Sequence, residues 1–251
     1  MLAQRLATFL ILTLLACVAA SAVADQKEKE AADQAVDSGS FGIFMNGHRV
    51  GTETFSITQE RNGSVIKSEF KTENDPKGVV SDLSSELQLT TAGEIRRYDW
   101  KQTSPEQATS SVLPNDQLLT QKWTTATQPK TQEQPYLLPL STSILDDYFF
   151  VHREVLVWKF LAASCKQEKG VVQCPVKQRA QFTTLDPSQH ASSPIFAQYL
   201  GRDKISFKGS DRELNKIEFK NDAETWLLWL DDQFKLVRIW IDGDRTEVVR
   251  D

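Results

Sequence analysis

The sequence predicts a mainly β fold of the α+β kind, a large curved antiparallel sheet wrapped around one long buried helix. Three observations carry that expectation. Apolar and polar residues alternate with period two from Phe41 to Gln102 and again from Phe196 to Arg250, with turn dipeptides between the runs. Between those halves one stretch, Ser143 to Ala163, reads as a helix. That helix is apolar on several sides, which marks a buried helix rather than a surface one.

The helix is expected over residues 143–163. Ser143 can cap its start, with Asp146 three residues on as an imperfect capping box. Asp146 and Asp147 both suit a positive helix N-terminus. On a wheel of about 100° per residue, Ile144, Tyr148 and Val155 share one side, Leu145, Phe149 and Leu156 follow, and Phe150, Val157 and Leu161 take a third. Charges at Asp146, Asp147, Arg153, Glu154 and Lys159 interrupt the segment too often for it to span a bilayer.

Before Phe41 the chain reads as targeting and tether. Residues 1–24 form a signal peptide: Arg5 is the positive n-region, Leu6 to Ala16 the apolar core, and Ala22-Val23-Ala24 the cleavage site. A competing reading takes Leu14-Leu15-Ala16-Cys17 as a lipobox, with Cys17 lipidated. Both readings export the chain, to the periplasm or beyond, or anchored as a lipoprotein, and leave no transmembrane span in the mature protein. Residues 25–40 hold one Val and no aromatic, so a flexible leader is expected, with a short frayed helix as the alternative.

From Phe41 to residue 251 a single β domain is expected. Phe41, Ile43 and Met45 alternate into the turn Asn46-Gly47, and Phe55 and Ile57 share a face of the next strand. Asn62-Gly63 turns the chain into Ser64 to Thr72, and Val79 to Leu89 and Glu94 to Gln102 continue an antiparallel meander. Thr103 to Leu138 is broken by prolines. It holds one candidate strand, Gln117 to Thr125, and a polar loop, Gln128 to Gln134. After the helix come Val176 to Phe182, a loop from Leu185 to Pro194, and short strands at Phe196–Leu200, Lys204–Lys208 and Glu213–Phe219. Trp226 to Leu230 is apolar on both faces, as a central strand is. Hairpins through Lys235 to Ile241 and Arg245 to Arg250 close a sheet of about ten or eleven strands.

Two stretches then carry a resemblance. Phe44-Met-Asn-Gly-His-Arg-Val-Gly-Thr-Glu-Thr-Phe55 opens the domain, and Trp229-Leu-Asp-Asp-Gln-Phe-Lys-Leu-Val-Arg-Ile-Trp240 with Asp242-Gly-Asp-Arg-Thr-Glu247 closes it. They resemble an exported bacterial family of unknown function. The layout is similar to the periplasmic half-barrel proteins typified by the lipoprotein carriers of the outer-membrane pathway. The resemblance implies a half-barrel over 41–251 and a lipid or lipoprotein partner. Its motifs are turns and strands, so it transfers no ligand-holding residue.

Composition narrows the function classes. A formal net charge of −5 and the absence of a basic run argue against nucleic acid. Cys165 and Cys174 form an even pair in an exported chain and read as a disulfide, with no C-x-x-C geometry for redox work. The histidines, His48, His152 and His190, have no second ligand at i+2 or i+4, and no nucleophile, zinc or phosphate-loop motif is present. No cofactor, metal site or catalytic set is therefore expected. His152 and Lys159 share a side of the expected helix and could face a cavity. The candidate ligand-binding residues are Tyr148, His152, Trp158, Trp226 and Trp229. The leading function is non-enzymatic binding or carriage of an apolar ligand such as a lipid, an acyl chain or a lipoprotein. The alternative is an envelope structural or assembly factor acting through protein contacts.

Overall fold

The structure, a computed structural model, describes residues 33–73, 78, 80–168, 171–243 and 245–251. The expected signal peptide, its cleavage site and Cys17 lie outside the described residues.

Among the described residues, fifteen strands form one sheet built from two meanders. The first runs outward in chain order: β1 (Gln34–Met45), β2 (His48–Glu60), β3 (Gly63–Thr72), β4 (Asp82–Thr90), β5 (Ile95–Ser104), β6 (Ala108–Asn115), β7 (Leu118–Thr125) and β8 (Gln132–Tyr136). The short β9 (Ser143–Ile144) precedes helix α1 (Val151–Ser164), and β10 (Lys166–Glu168) and β11 (Val171–Gln173) form a separate two-stranded hairpin. The second meander comprises β12 (Arg179–Asp186), β13 (Ala191–Phe207), β14 (Ser210–Lys220), β15 (Thr225–Leu230), β16 (Leu236–Asp242) and β17 (Thr246–Arg250). All pairings in the large sheet are antiparallel except β9 on β12.

The two meanders meet where β1 pairs with β17, Phe41 opposite Arg250 and Met45 opposite Thr246. Period two places Phe41 and Ile43 on the core face, with Phe55 and Ile57 beside them on β2 and Val248 on β17. Phe41 and Phe55 stack with ring centroids 4.7 Å apart. Arg250 lies over both rings and donates to both carboxylate oxygens of Asp37, at 2.8 and 2.9 Å. The opposite face of the sheet carries a smaller cluster, Phe207, Leu214, Trp229 and Val237.

The mainly β class stands, but the long buried helix wrapped by the sheet does not. The helix is short, 14 residues from Val151 to Ser164. Residues 143–150 were expected as its first two turns and belong to other structure. Ser143 and Ile144 pair in parallel with Thr184 and Leu185, and Leu145 N–H donates to Leu185 O at 3.0 Å. The apolar residues that looked like extra helix faces are those of a strand and a turn packed into the same core, as Ile144, Leu145 and Phe150 are. Along the helix itself, Leu156, Val157, Phe160 and Leu161 pack into the core.

Three further differences share one cause: pairing partners that local sequence does not reveal. The leader expected over 25–40 ends earlier, because Gln34–Ser40 extend β1 along β2 and Asp37 is held by Arg250 and Lys235. The polar segment around Gln132 is a strand, β8, paired with β7. The stretches expected as two short strands around Gly201 are one 17-residue strand, β13. A register shift between Tyr199 and Gly201, with φ +99° at that glycine, makes a bulge that bends the strand without ending it. Cys165 and Cys174 are joined by a disulfide that closes the β10–β11 hairpin. Among the described residues no helix is long and apolar enough to cross a membrane.

The seam between the meanders predicts a stability contrast. Phe41 is fully buried, so Phe41→Ala should cost roughly 3–5 kcal/mol through lost burial and a cavity. Glu247, opposite Phe44 on the partly exposed face and ion-paired with Arg238, should cost less than about 1 kcal/mol when changed to Ala. Chemical denaturation of both variants measures the difference.

Candidate functional site

The helix brings most of the buried polar groups together. Its first N–H groups have no intrahelical acceptor, and its own sequence supplies no side-chain cap. Glu53 of β2 takes that place. This fully buried carboxylate accepts from Phe150 N–H at 2.7 Å, Val151 N–H at 3.2 Å and the Ser68 hydroxyl at 2.7 Å. A negative charge there is favoured by the helix dipole. Burial pushes its acidity the other way, to a pKa of about 7.

Arg153, 2% exposed, donates to Asp146 O at 2.6 Å and Phe149 O at 3.2 Å, and its guanidinium lies over Phe150 and Trp226. Asp146 accepts from Tyr98 Oη–H at 2.9 Å and from Tyr148 N–H at 3.0 Å. Burial, and then the nearby Asp186 charge, raise Asp146 to about 7. The next residue of the helix, Glu154, accepts from Leu236 N–H at 3.1 Å and faces Asp37, Arg250 and Lys235. Burial and the Asp37 carboxylate push Glu154 up to about 9. Burial raises Asp37 as well, but hydrogen bonds with Glu154, Arg250 and Lys235 bring it below its ordinary value.

A cavity of about 260 Å³ lies between α1 and strands β2, β3 and β4. Its walls are mainly aliphatic: Ile57, Ile66, Leu87, Leu89, Ile144 and Leu156. The exposed Thr91, Ala92 and Ala162 line its mouth. Polar side chains also line it, among them Thr142, His152 and Lys159. Thr142 and His152 are each 1% exposed, and the Thr142 hydroxyl and both imidazole nitrogens have no hydrogen-bond partner among the described residues. His152 packs edge-on against Tyr98, and burial lowers it to about 3, so it is neutral at physiological pH. Lys159 Nζ donates to Ser141 O and, at 3.2 Å, to Ser143 Oγ. A mostly apolar pocket with a few convergent polar groups is the usual form of a small-molecule site.

Of the sequence-predicted ligand residues, the cavity gathers two, His152 and Trp158. Trp158 keeps its indole N–H on Phe234 O at 2.8 Å. Tyr148 borders a different cleft of about 240 Å³ with Trp100, Trp123 and His190. Trp226 is a core residue under Arg153. Trp229 faces the other side of the sheet, its indole N–H on Asp203 at 3.0 Å. His48 is exposed at the first turn. Among the described residues no cluster of His, Cys, Asp and Glu is placed to hold a metal ion.

Glu53 and Arg153 were missed as site-forming residues. The signal for Glu53 was present: it shares the parity of Phe55 and Ile57 on β2, a charge on an apolar face. Nothing local shows that its partner is a helix start almost a hundred residues later.

The Glu154 environment sets a pH dependence with a defined sign. Its carboxyl holds a proton more tightly folded than unfolded. The stability this contributes is fully present below about pH 4.5 and is lost as pH rises through about 9. Glu154→Gln keeps the shape without the titration. Denaturation midpoints at pH 5, 7 and 9 should show the native protein losing stability relative to this variant across the series, whereas parallel profiles would contradict the assignment.

No family model matches the chain, and no curated protein matches it. Among solved structures it is similar to a DUF1089 family protein from Pseudomonas aeruginosa, at 10% identity and a TM-score of 0.44, covering 74% of this chain and 87% of that one.

Proposed function

We propose that this protein is an exported, non-enzymatic binding protein that holds an apolar ligand in the cavity between α1 and strands β2 to β4. The single observation that carries this reading is the cavity itself: about 260 Å³, walled by aliphatic side chains and open at Thr91, Ala92 and Ala162. Interiors of folded proteins pack densely, with few voids larger than a water molecule. An aliphatic space of this size beside the helix is therefore a departure that a ligand would resolve. The disulfide supports the exported part of the reading, because such bonds persist in oxidising compartments. A carrier role, taking the ligand from one membrane or protein to another, belongs to the same proposal.

One sheet edge favours this reading over assembly by strand addition. That edge, β8, is five residues long and contains Pro135. Short edges and edge prolines are how sheets discourage pairing with a foreign strand. At the other edge β9 pairs only with Thr184 and Leu185 of β12.

The test is uptake of N-phenyl-1-naphthylamine, a neutral apolar dye, followed by its fluorescence. The native protein should bind it saturably. Ala162→Trp, which plugs the mouth from an exposed helix position, should weaken binding by at least about tenfold, as expected when an indole occupies the space. Dye binding indifferent to this plug, or no binding at all, would refute the site.

A further inference from the structure

We propose that the cavity selects an anionic amphiphile, a carboxylate or an equivalent single-headed anion, with its head on Lys159 and its chain among Ile57, Ile66, Leu87 and Leu89. This rests on the reading of the cavity as an apolar ligand site and adds the ligand's charge.

The charge follows from Lys159. It lines the cavity on the helix side and is drawn partly out of solvent. Its hydrogen bonds go to neutral acceptors, the Ser141 carbonyl and the Ser143 hydroxyl, and among the described residues it makes no ion pair. Burial lowers its pKa, with the Glu94 charge acting only from a distance in the opposite sense. An ammonium so placed has no carboxylate at ion-pair distance among the described residues, and the aliphatic wall in front of it cannot supply one. A ligand's carboxylate would, through a charge-assisted hydrogen bond.

The experiment measures displacement of the naphthylamine dye by octanoate and by octan-1-ol, which share a chain length and differ in charge. On the native protein octanoate should bind at least about tenfold more tightly than the alcohol, the lower end of what a hydrogen bond to a charged group contributes. Lys159→Met should erase that ratio and Lys159→Arg should retain it, each variant being judged by its own ratio. Equal binding of the two probes to the native protein, or a preference that survives Lys159→Met, would overturn the anionic assignment while leaving the apolar site standing. Failure of the dye itself to bind would remove both.

Discussion

The structure depends on one contact more than any other, the seat of the α1 N-terminus on Glu53. A short helix is marginal by itself, because its first turn must be fixed before its hydrogen bonds repay the cost. Here the first turn has no local cap, and the missing acceptors come from a strand on the sheet. Removing such a carboxylate would leave two buried N–H groups without partners, a larger loss than the bond itself. The helix therefore exists where β2 holds it. Glu53 in turn stays buried because Ser68 and those two amides satisfy it.

The buried charges around the helix are arranged in two groups, and the difference is physical. Near the N-terminus, Glu53, Asp146 and Arg153 are satisfied largely by backbone groups and hydroxyls, so each is held by fixed dipoles. Near Leu236, Glu154, Asp37, Arg250 and Lys235 satisfy one another, joining the helix to both β1 and β17. The second group ties the helix to the seam where the meanders meet. A protonated Glu154 beside an ionised Asp37 avoids burying two like charges together.

Much of this architecture was legible in the sequence because period-two patterning and turn dipeptides are local signals. Asn46-Gly47 and the hairpins from Trp226 onward, with their two-faced apolar strand, all became strands and turns of the sheet. The helix boundary was not legible, because Ile144, Leu145 and Phe150 follow a helical spacing while their burial comes from β12 and the core. Nor was β8, whose polar residues pair only because β7 offers an edge. For the site, helical spacing placed His152 and Lys159 on one side, and both line the cavity. Tryptophan content misled: a large ring signals burial, and burial here divides among a core, a second cluster and two clefts.

The cavity follows from an asymmetry in how the helix is held. Its side-chain hydrogen bonds to the second meander are specific: Glu154 to Leu236 N–H and Trp158 to Phe234 O, both at the turn and strand entering β16. Among the described residues it presents no such bond toward β3 and β4, His152 has no partner, and Lys159 bonds back to residues 141 and 143 of the segment preceding the helix. A helix pinned by directional bonds at its N-terminus, on Glu53 of β2, and at the entry to β16 cannot settle freely against β3 and β4, where only non-directional apolar contact would draw it in. The space left there has an aliphatic wall and, on its helix side, the ammonium of Lys159, whereas an empty defect in a core is ordinarily lined by apolar groups alone.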